Sequence, residues 1–350
     1  MRIALVEDGL SFDSASAAER PLGGPERALI GLADALALAG HSVKVYNRCA
    51  MAATLGKVDW MPLPADPTKG AKIEADVLVA WRKPALLAAA PKDAVGRRIL
   101  WSMAAPEHLL GPDSRDLLEK FTPRLVYLSQ AQRARSPFTG ADAGVVVPPG
   151  VGKAFTARPS PGMPPEGPPT AVITTHPMNG LDYALSAWAN IIHPAVPEAR
   201  LVIVSALLAQ AAEGAELPSA LSAVWQRTQD LADKGVEVHP PGDETTMADL
   251  YRQARVHLYP GHEDDMACWT LGESQACGLP AVVRPLGATE ERISNGETGY
   301  VIPDAEAFGN VAVQLLSNDP VFQGQAEQAA QPHRRRSWIM AARDFELLCA

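Results

Sequence analysis

Short apolar runs alternate with helical patterns along the whole chain. Arg2 to Val6 reads as a buried strand, and a long polar loop follows to Gly23-Gly24. From Glu26 to Ala39 the apolar residues recur at helical spacing, the helix stops at Gly40, and Ser42 to Tyr46 alternates as a strand. This is a βαβ unit. Further strands are expected at Val77–Val79, Ile99–Trp101, Val126–Leu128 and Val145–Val147, with helical patterns between them, so the spacing predicts a parallel sheet. Residues 159–169, rich in Pro and Gly, suit neither helix nor strand and read as a linker. A second series then begins: strand Ala171–Thr174, helix Asp182–Ile192, strand Arg200–Ser205. The last expected element is a helix, Ser337–Leu348, whose Trp338, Ala341, Ala342 and Phe345 share a face.

Length supports the same division, since 350 residues exceed the usual single-domain size. Hydrophobic residues make up 47% and charged residues 20%, enough to bury two cores. A net charge of -9 argues against nucleic acid as a partner. Cys49, Cys268, Cys277 and Cys349 show no metal-ligand spacing, and the chain enters a strand at once, so a reducing cytoplasmic location is expected. No apolar run reaches the ~18 residues of a spanning helix, which leaves membrane contact peripheral at most.

The richest chemistry lies between Pro260 and Gly299. Val256–Tyr259 is a short strand, His262-Glu263-Asp264-Asp265 an acidic loop, and Thr270–Gly278 a short helix carrying Glu273. Leu279–Val283 forms the next strand, Gly287 a turn, Glu291 the start of another helix, and Asn295–Gly299 a second turn. Asp265 and Glu273, with seven residues between them, can accept hydrogen bonds from separate parts of a polyol.

This segment resembles the donor-binding signature of retaining glycosyltransferases of the two-Rossmann-domain (GT-B) class, in the large family 4 group. Their pattern is Glu, seven residues, then Glu-Ala-Met-Ala-Cys-Gly-Leu-Pro; here Asp265 is followed by seven residues and Glu273-Ser274-Gln275-Ala276-Cys277-Gly278-Leu279-Pro280. Leu22-Gly23-Gly24-Pro25-Glu26-Arg27 resembles the family's opening loop. Cys268, Thr270 and Gln275 resemble a subgroup with a Phe-Cys-x-Thr run. The resemblance implies an α/β, GT-B architecture with two Rossmann-like domains facing a central cleft: 1–155 on the acceptor side, a linker 156–169, a donor domain 170–330, and a C-terminal helix, 331–350, that crosses back to the N-terminal domain. It implies that Glu273 bonds the donor ribose, Asp265 the sugar hydroxyls, and the Gly23 and Gly24 amides the diphosphate. Cys268, Thr270, His176 and Gly242 join the expected donor-binding set.

Departures from the family pattern are as informative. Where relatives carry an Arg and a Lys on the diphosphate, this chain reads Thr174-Thr175-His176-Pro177-Met178-Asn179, with Asn179 at the Lys position. Arg284, Arg82 and Lys83 are candidate substitutes. The N-domain His-Asp pair of many relatives is replaced by Met103-Ala104, and glycines between the acidic positions by Met266, Ala267 and Cys268. His108 stands too far along the chain to replace the His.

The expected activity is therefore transfer of a sugar from a nucleoside-diphosphate donor to a glycan, lipid or small-molecule acceptor, with no cofactor and no metal. The alternatives are a non-catalytic GT-B binding or partner protein that has lost the diphosphate clamp, and a non-hydrolysing sugar-nucleotide epimerase. Adjacent residues of the loop His262–Asp265 cannot all converge on one ion, Arg334-Arg335-Arg336 reads as a solvated face, and His41 as a turn residue. No Cys-His-Asn arrangement makes Cys268 or Cys277 a nucleophile.

Overall fold

The computed structural model describes residues 1–67, 73–140, 143–157 and 162–349; the start of the expected linker lies partly outside them. The chain divides into two compact units, Met1–Gly150 with Arg336–Ala350, and Val151–Arg335.

The first unit holds an eight-stranded sheet of β1 (Arg2–Val6), β2 (Ser42–Asn47), β3 (Ala53–Leu55), β4 (Val58–Pro62), β5 (Ala75–Trp81), β6 (Val95–Trp101), β7 (Arg124–Tyr127) and β8 (Val145–Val146). Their order is β3-β4-β2-β1-β5-β6-β7-β8, parallel except for the antiparallel edge strand β3. The edge hairpin of β3 and β4 was not expected from the sequence. The helix expected at Glu26–Ala39 forms as Gly24–Leu38 with Gly23 as its N-cap. β5 is apolar almost throughout because helices cover both its faces. One face packs Leu78, Ala80, Leu100 and Tyr127 with Leu86, Leu87 and Leu109. The final helix, Trp338–Cys349, belongs to this unit: its Ala341, Ala342 and Phe345 are buried, and the Phe345 ring lies 4.4 Å from Trp101. Trp338 sits over Gly31, where any Cβ would meet the indole at 2.5 Å.

The second unit holds β9 (Thr170–Ile173), β10 (Arg200–Val204), β11 (Val236–His239), β12 (Val256–Tyr259), β13 (Ala281–Val283) and β14 (Gly299–Val301). The sheet is parallel throughout in the order β11-β10-β9-β12-β13-β14. Strand alternation decides the two cores. Ile173, Leu201, Ile203 and Leu258 face Trp188, Leu185 and Phe308 on one side, while Val172, Val202 and Val204 face Phe155, Met247 and Tyr251 on the other.

Two expected helices differ. Asp182–Ile192 is an α-helix only over Leu181–Ala187 and continues as a π-turn, Trp188–Ile192, so that the Trp188 indole N–H reaches Lys234 O at 2.9 Å. The helix expected from Glu291 is a single 3-10 turn, Thr289–Glu291. At its start the Thr289 hydroxyl shares its proton between Arg284 O (2.7 Å) and Leu286 O (3.0 Å), tying the turn back to the end of β13.

Candidate active site

In each sheet the strand order reverses next to its first strand, between β1 and β5 in the first unit and between β9 and β12 in the second. Open α/β sheets bind ligands beyond the carboxyl ends of the strands at such a switch point. In the second unit these ends carry Thr174 and the acidic loop.

The loop after β12 is built by short-range bonds. Asp265 N donates to His262 O at 3.0 Å, and Asp265 Oδ1 accepts from Cys268 N at 2.8 Å. Gly287 lies beneath it with φ +59, and a Cβ there would lie 2.6 Å from His262 O, so only glycine fits. Ala288 N donates to Asp265 O at 2.9 Å. Arg292 clasps the same loop from behind, its Nη2 2.8 Å from Ala267 O. Cys268 takes the left-handed conformation, φ +47, and caps the helix Trp269–Ala276. That helix brings Thr270 to the end of β9, its hydroxyl 2.8 Å from Thr174 Oγ1. Glu273 is buried, and Gln275 anchors the far end of the helix by donating to Leu279 O (2.8 Å) and Thr298 O (3.0 Å).

The structure brings Asp265, Cys268 and Thr270 together with two groups that the sequence pattern did not single out, Tyr259 and His257, while Glu273 is buried three residues further along the same helix. Tyr259 donates its hydroxyl proton to Asp265 Oδ2. Burial, followed by the Asp265 charge, pushes the Tyr259 phenol well above its ordinary value, so it stays a donor. The signal for His257 was an ionisable residue inside an otherwise apolar strand.

Arg284 leaves β13 and donates from Nε to Pro260 O at 2.6 Å, with its guanidinium 4.5 Å over the Tyr183 ring. Its Nη2 lies 3.5 Å from where a Cβ on Gly180 would stand, beside the loop Thr174–Gly180. His176 is exposed on that loop, where its Nδ1 accepts from Met178 N at 3.2 Å. Gly242 precedes the helix Glu244–Gln253, whose N-cap Asp243 accepts from Thr246 N at 2.8 Å.

The first unit arranges its candidates differently. Arg82 is the middle residue of a tight turn at the end of β5, with φ +68 and Lys83 N donating to Trp81 O at 2.7 Å. The turn aims its guanidinium at two buried carboxylates, Glu7 Oε1 at 2.6 Å and Glu26 Oε1 at 3.0 Å. Lys83 pairs with Asp8 at 2.9 Å. Two of the three cations considered as diphosphate substitutes are thus already held by carboxylates of their own unit. Gly24 opens the helix, but the Glu26 carboxylate lies against the side of Gly23 that a Cβ would occupy. A negative charge at that point opposes a phosphate, and the sequence reading had not foreseen it.

Two other expectations are corrected. Arg334 and Arg336 are not a solvated face: Arg334 Nε donates to Ala276 O at 2.9 Å, and Arg336 pairs with Asp344 at 2.5 Å. His41 does more than turn the chain, since its Nε2 lies 2.7 Å from Glu346 Oε1 on the final helix. His108 is exposed, with Nδ1 2.8 Å from Ala105 O. Burial raises the Cys268 thiol well above its usual range and Cys277 to about 12, so neither ionises readily. Among the described residues no three His, Cys, Asp or Glu side chains converge as metal ligands, and no helix is long and apolar enough to cross a membrane.

Comparisons with known proteins bear on the same segment. Residues 170–318 match the family described as glycosyl transferases group 1. The D-inositol 3-phosphate glycosyltransferase of Acidothermus cellulolyticus is 30% identical over 204 residues, 55% of this chain and 44% of that protein. The chain spans about half the length of the curated relatives it matches. Solved structures match over the whole chain: sucrose-phosphate synthase from Thermosynechococcus elongatus has a TM-score of 0.72 at 15% identity, covering 99% of this chain and 98% of that one. HepE from Anabaena, in complex with UDP and glucose, has a TM-score of 0.70 at 13% identity and covers 99% of each. These likenesses establish the fold, that of GT-B glycosyltransferases.

Proposed function

Starting from the match of residues 170–318 to the glycosyl transferases group 1 family, we propose that the protein is a retaining transferase moving a sugar from a nucleoside-diphosphate donor to a glycan, lipid or small-molecule acceptor. The observation that carries this reading is the convergence of Asp265 and Thr270 at the β9/β12 switch point, held by the Gly287 turn and the Cys268 cap, with Glu273 buried on the same helix.

In this reading Glu273 accepts from the donor ribose and Asp265 from the sugar hydroxyls. Arg284 and the Thr270 turn of the helix lie where charge develops on the leaving diphosphate, and a guanidinium stabilises that charge more in the transition state than in the ground state. His176, Asn179 and Gly242 frame the nucleotide without supplying charge.

One observation favours a second reading, a binding or partner protein without catalysis: of the three candidate substitutes for the missing clamp, Arg82 and Lys83 are engaged by carboxylates of their own unit.

A thermal-shift screen of UDP, GDP, ADP and their glucose or mannose conjugates separates the readings. A ligand at 100 times its Kd adds about 2.7 kcal/mol of stability. The first reading expects a shift with one nucleotide, its loss in Glu273→Ala, and slow donor hydrolysis that fails in Arg284→Met. Binding without turnover, even with acceptors supplied, supports the second. If no nucleotide shifts the protein, the donor-site assignment is wrong.

A further inference from the structure

His257 is unused by the donor-site reading, yet it occupies the centre of a buried polar chain. The ring on β12 has no solvent exposure. Its Nδ1 lies 2.8 Å from Ser274 Oγ and its Nε2 3.0 Å from Thr174 Oγ1. Thr174 Oγ1 is 2.8 Å from Thr270 Oγ1, Thr270 also hydrogen-bonds the Tyr259 hydroxyl, and Tyr259 donates to Asp265 Oδ2. At the other end Ser274 Oγ reaches Leu271 O at 3.0 Å. The chain thus joins Ser274, His257, Thr174, Thr270, Tyr259 and Asp265 in that order.

Counting protons gives this chain a direction. Each hydroxyl carries one proton, and burial keeps the imidazole neutral by lowering its pKa to about 3. A neutral ring donates at one nitrogen and accepts at the other. If Ser274 donates to Leu271 O, Nδ1–H donates to Ser274 and Nε2 accepts from Thr174. If Ser274 donates to Nδ1 instead, Nε2–H donates to Thr174, and Thr174 donates to Thr270. In the first arrangement Thr270 must donate to Thr174, which leaves no proton for the Tyr259 oxygen; in the second the Thr270 proton goes to Tyr259, so only the direction running from Ser274 through His257 to Asp265 joins the whole chain. Tyr259 then has a partner that orients its hydroxyl on Asp265. The other Asp265 oxygen is fixed by Cys268 N at 2.8 Å, so the carboxylate is gripped on both sides.

We infer that His257 is a positioning residue: by setting the direction of hydrogen bonding through Thr174 and Thr270 it holds the Tyr259 hydroxyl on Asp265, and so orients the carboxylate that meets the transferred sugar. This rests on the donor-site reading of Asp265. A role confined to Asp265 separates the sugar from the nucleotide, because Glu273 addresses the ribose independently.

The test uses the full chain, the variants His257→Phe, His257→Gln and Tyr259→Phe, and two measurements. Ring-nitrogen NMR across pH 5 to 8 should show two histidines of the eight that stay neutral, His257 and His333, of which one signal vanishes in His257→Phe. Calorimetric titration then compares UDP with UDP-glucose, GDP with GDP-mannose and ADP with ADP-glucose. For the pair that binds, His257→Phe should hold the free nucleotide within about twofold of the parent but the nucleotide sugar about tenfold more weakly, and the double variant with Tyr259→Phe should be no worse, as coupled residues on one path require. His257→Gln keeps one donor and one acceptor and should recover the sugar nucleotide to within about threefold. Equal weakening of both ligands, or none, overturns the positioning role, as does a His257 ring that titrates near its ordinary pKa. If the parent binds none of the three nucleotides the donor-site reading falls and this role with it, while the NMR result still reports whether the neutral chain exists.

Discussion

Lowering the pH should destabilise the second unit through two enclosed histidines, by an amount that the structure allows to be worked out. Burial lowers His257 to about 3 and His333 to about 4, the latter helped by the nearby Arg292 charge. Both begin from 6.5 in the unfolded chain. Because the folded value is depressed, the unfolded state takes up protons first as pH falls, so stability is intact above 6.5 and declines below it until the folded pKa is reached. At pH 5 neither folded ring is protonated, so the loss depends on the unfolded value alone: 1.5 units, or about 2 kcal/mol per histidine and about 4 kcal/mol for the pair. The assay is urea denaturation at pH 7.5 and 5.0, followed by far-UV circular dichroism, for the parent and for His257→Gln and His333→Gln. Each variant should lose about 2 kcal/mol less than the parent over this interval, whatever its stability at pH 7.5. The remaining histidines contribute equally to all three proteins and cancel. If parent and variants lose stability in parallel to within about 0.5 kcal/mol, the rings are not held neutral in the fold and the reasoning is refuted.

Arg82→Met should cost the first unit about 2 to 3 kcal/mol, the low end for a broken buried pair because the guanidinium is about one-third exposed; a second change, Glu7→Gln, should restore part of that in chemical denaturation. Gly287→Ala forces a side chain against the carbonyls of the acidic loop in a left-handed conformation, so a loss of about 2 kcal/mol and faster proteolysis of that loop are expected; unchanged protease sensitivity refutes the supporting role of the turn. Thiol titration of the native protein at pH 8 should find one reactive cysteine, Cys49, because it alone of the four is partly exposed: burial raises its thiol too, but it lifts the enclosed Cys268 far above its usual range, Cys277 to about 12 and Cys349 to about 11. Cys49→Ser should abolish the rapid phase.

Much of the architecture was legible because it depends on local periodicity. Continuous apolar runs such as Val77–Val79 become strands covered on both faces, and the helical spacing of Trp338, Ala341, Ala342 and Phe345 marks the stripe that packs against Trp101. The spacing of Asp265 and Glu273 survives folding for the same reason, since a short loop and one helix connect them. The edge hairpin of β3 and β4 escaped because β3 is only three residues long and largely exposed, and β4 offers just two buried positions, Val58 and Trp60, before Pro62.

Charge partners are a different matter. Glu7, Glu26 and Arg82 meet at distances of 2.6 and 3.0 Å although 75 and 56 positions separate the two carboxylates from Arg82. Neither the pairing nor its consequence, that Arg82 is not a free cation, is written in any local pattern. His257 and Ser274 likewise become partners only when β12 and the following helix pack together. The sequence by itself determined which segments form strands and helices and which residue types lie in the acidic loop, because backbone propensity and burial periodicity act over a few residues. The tertiary structure alone decided which side chains neutralise, orient or enclose one another, because Coulomb and hydrogen-bond energies depend on distance in space and on the surrounding dielectric, and sheet order sets both.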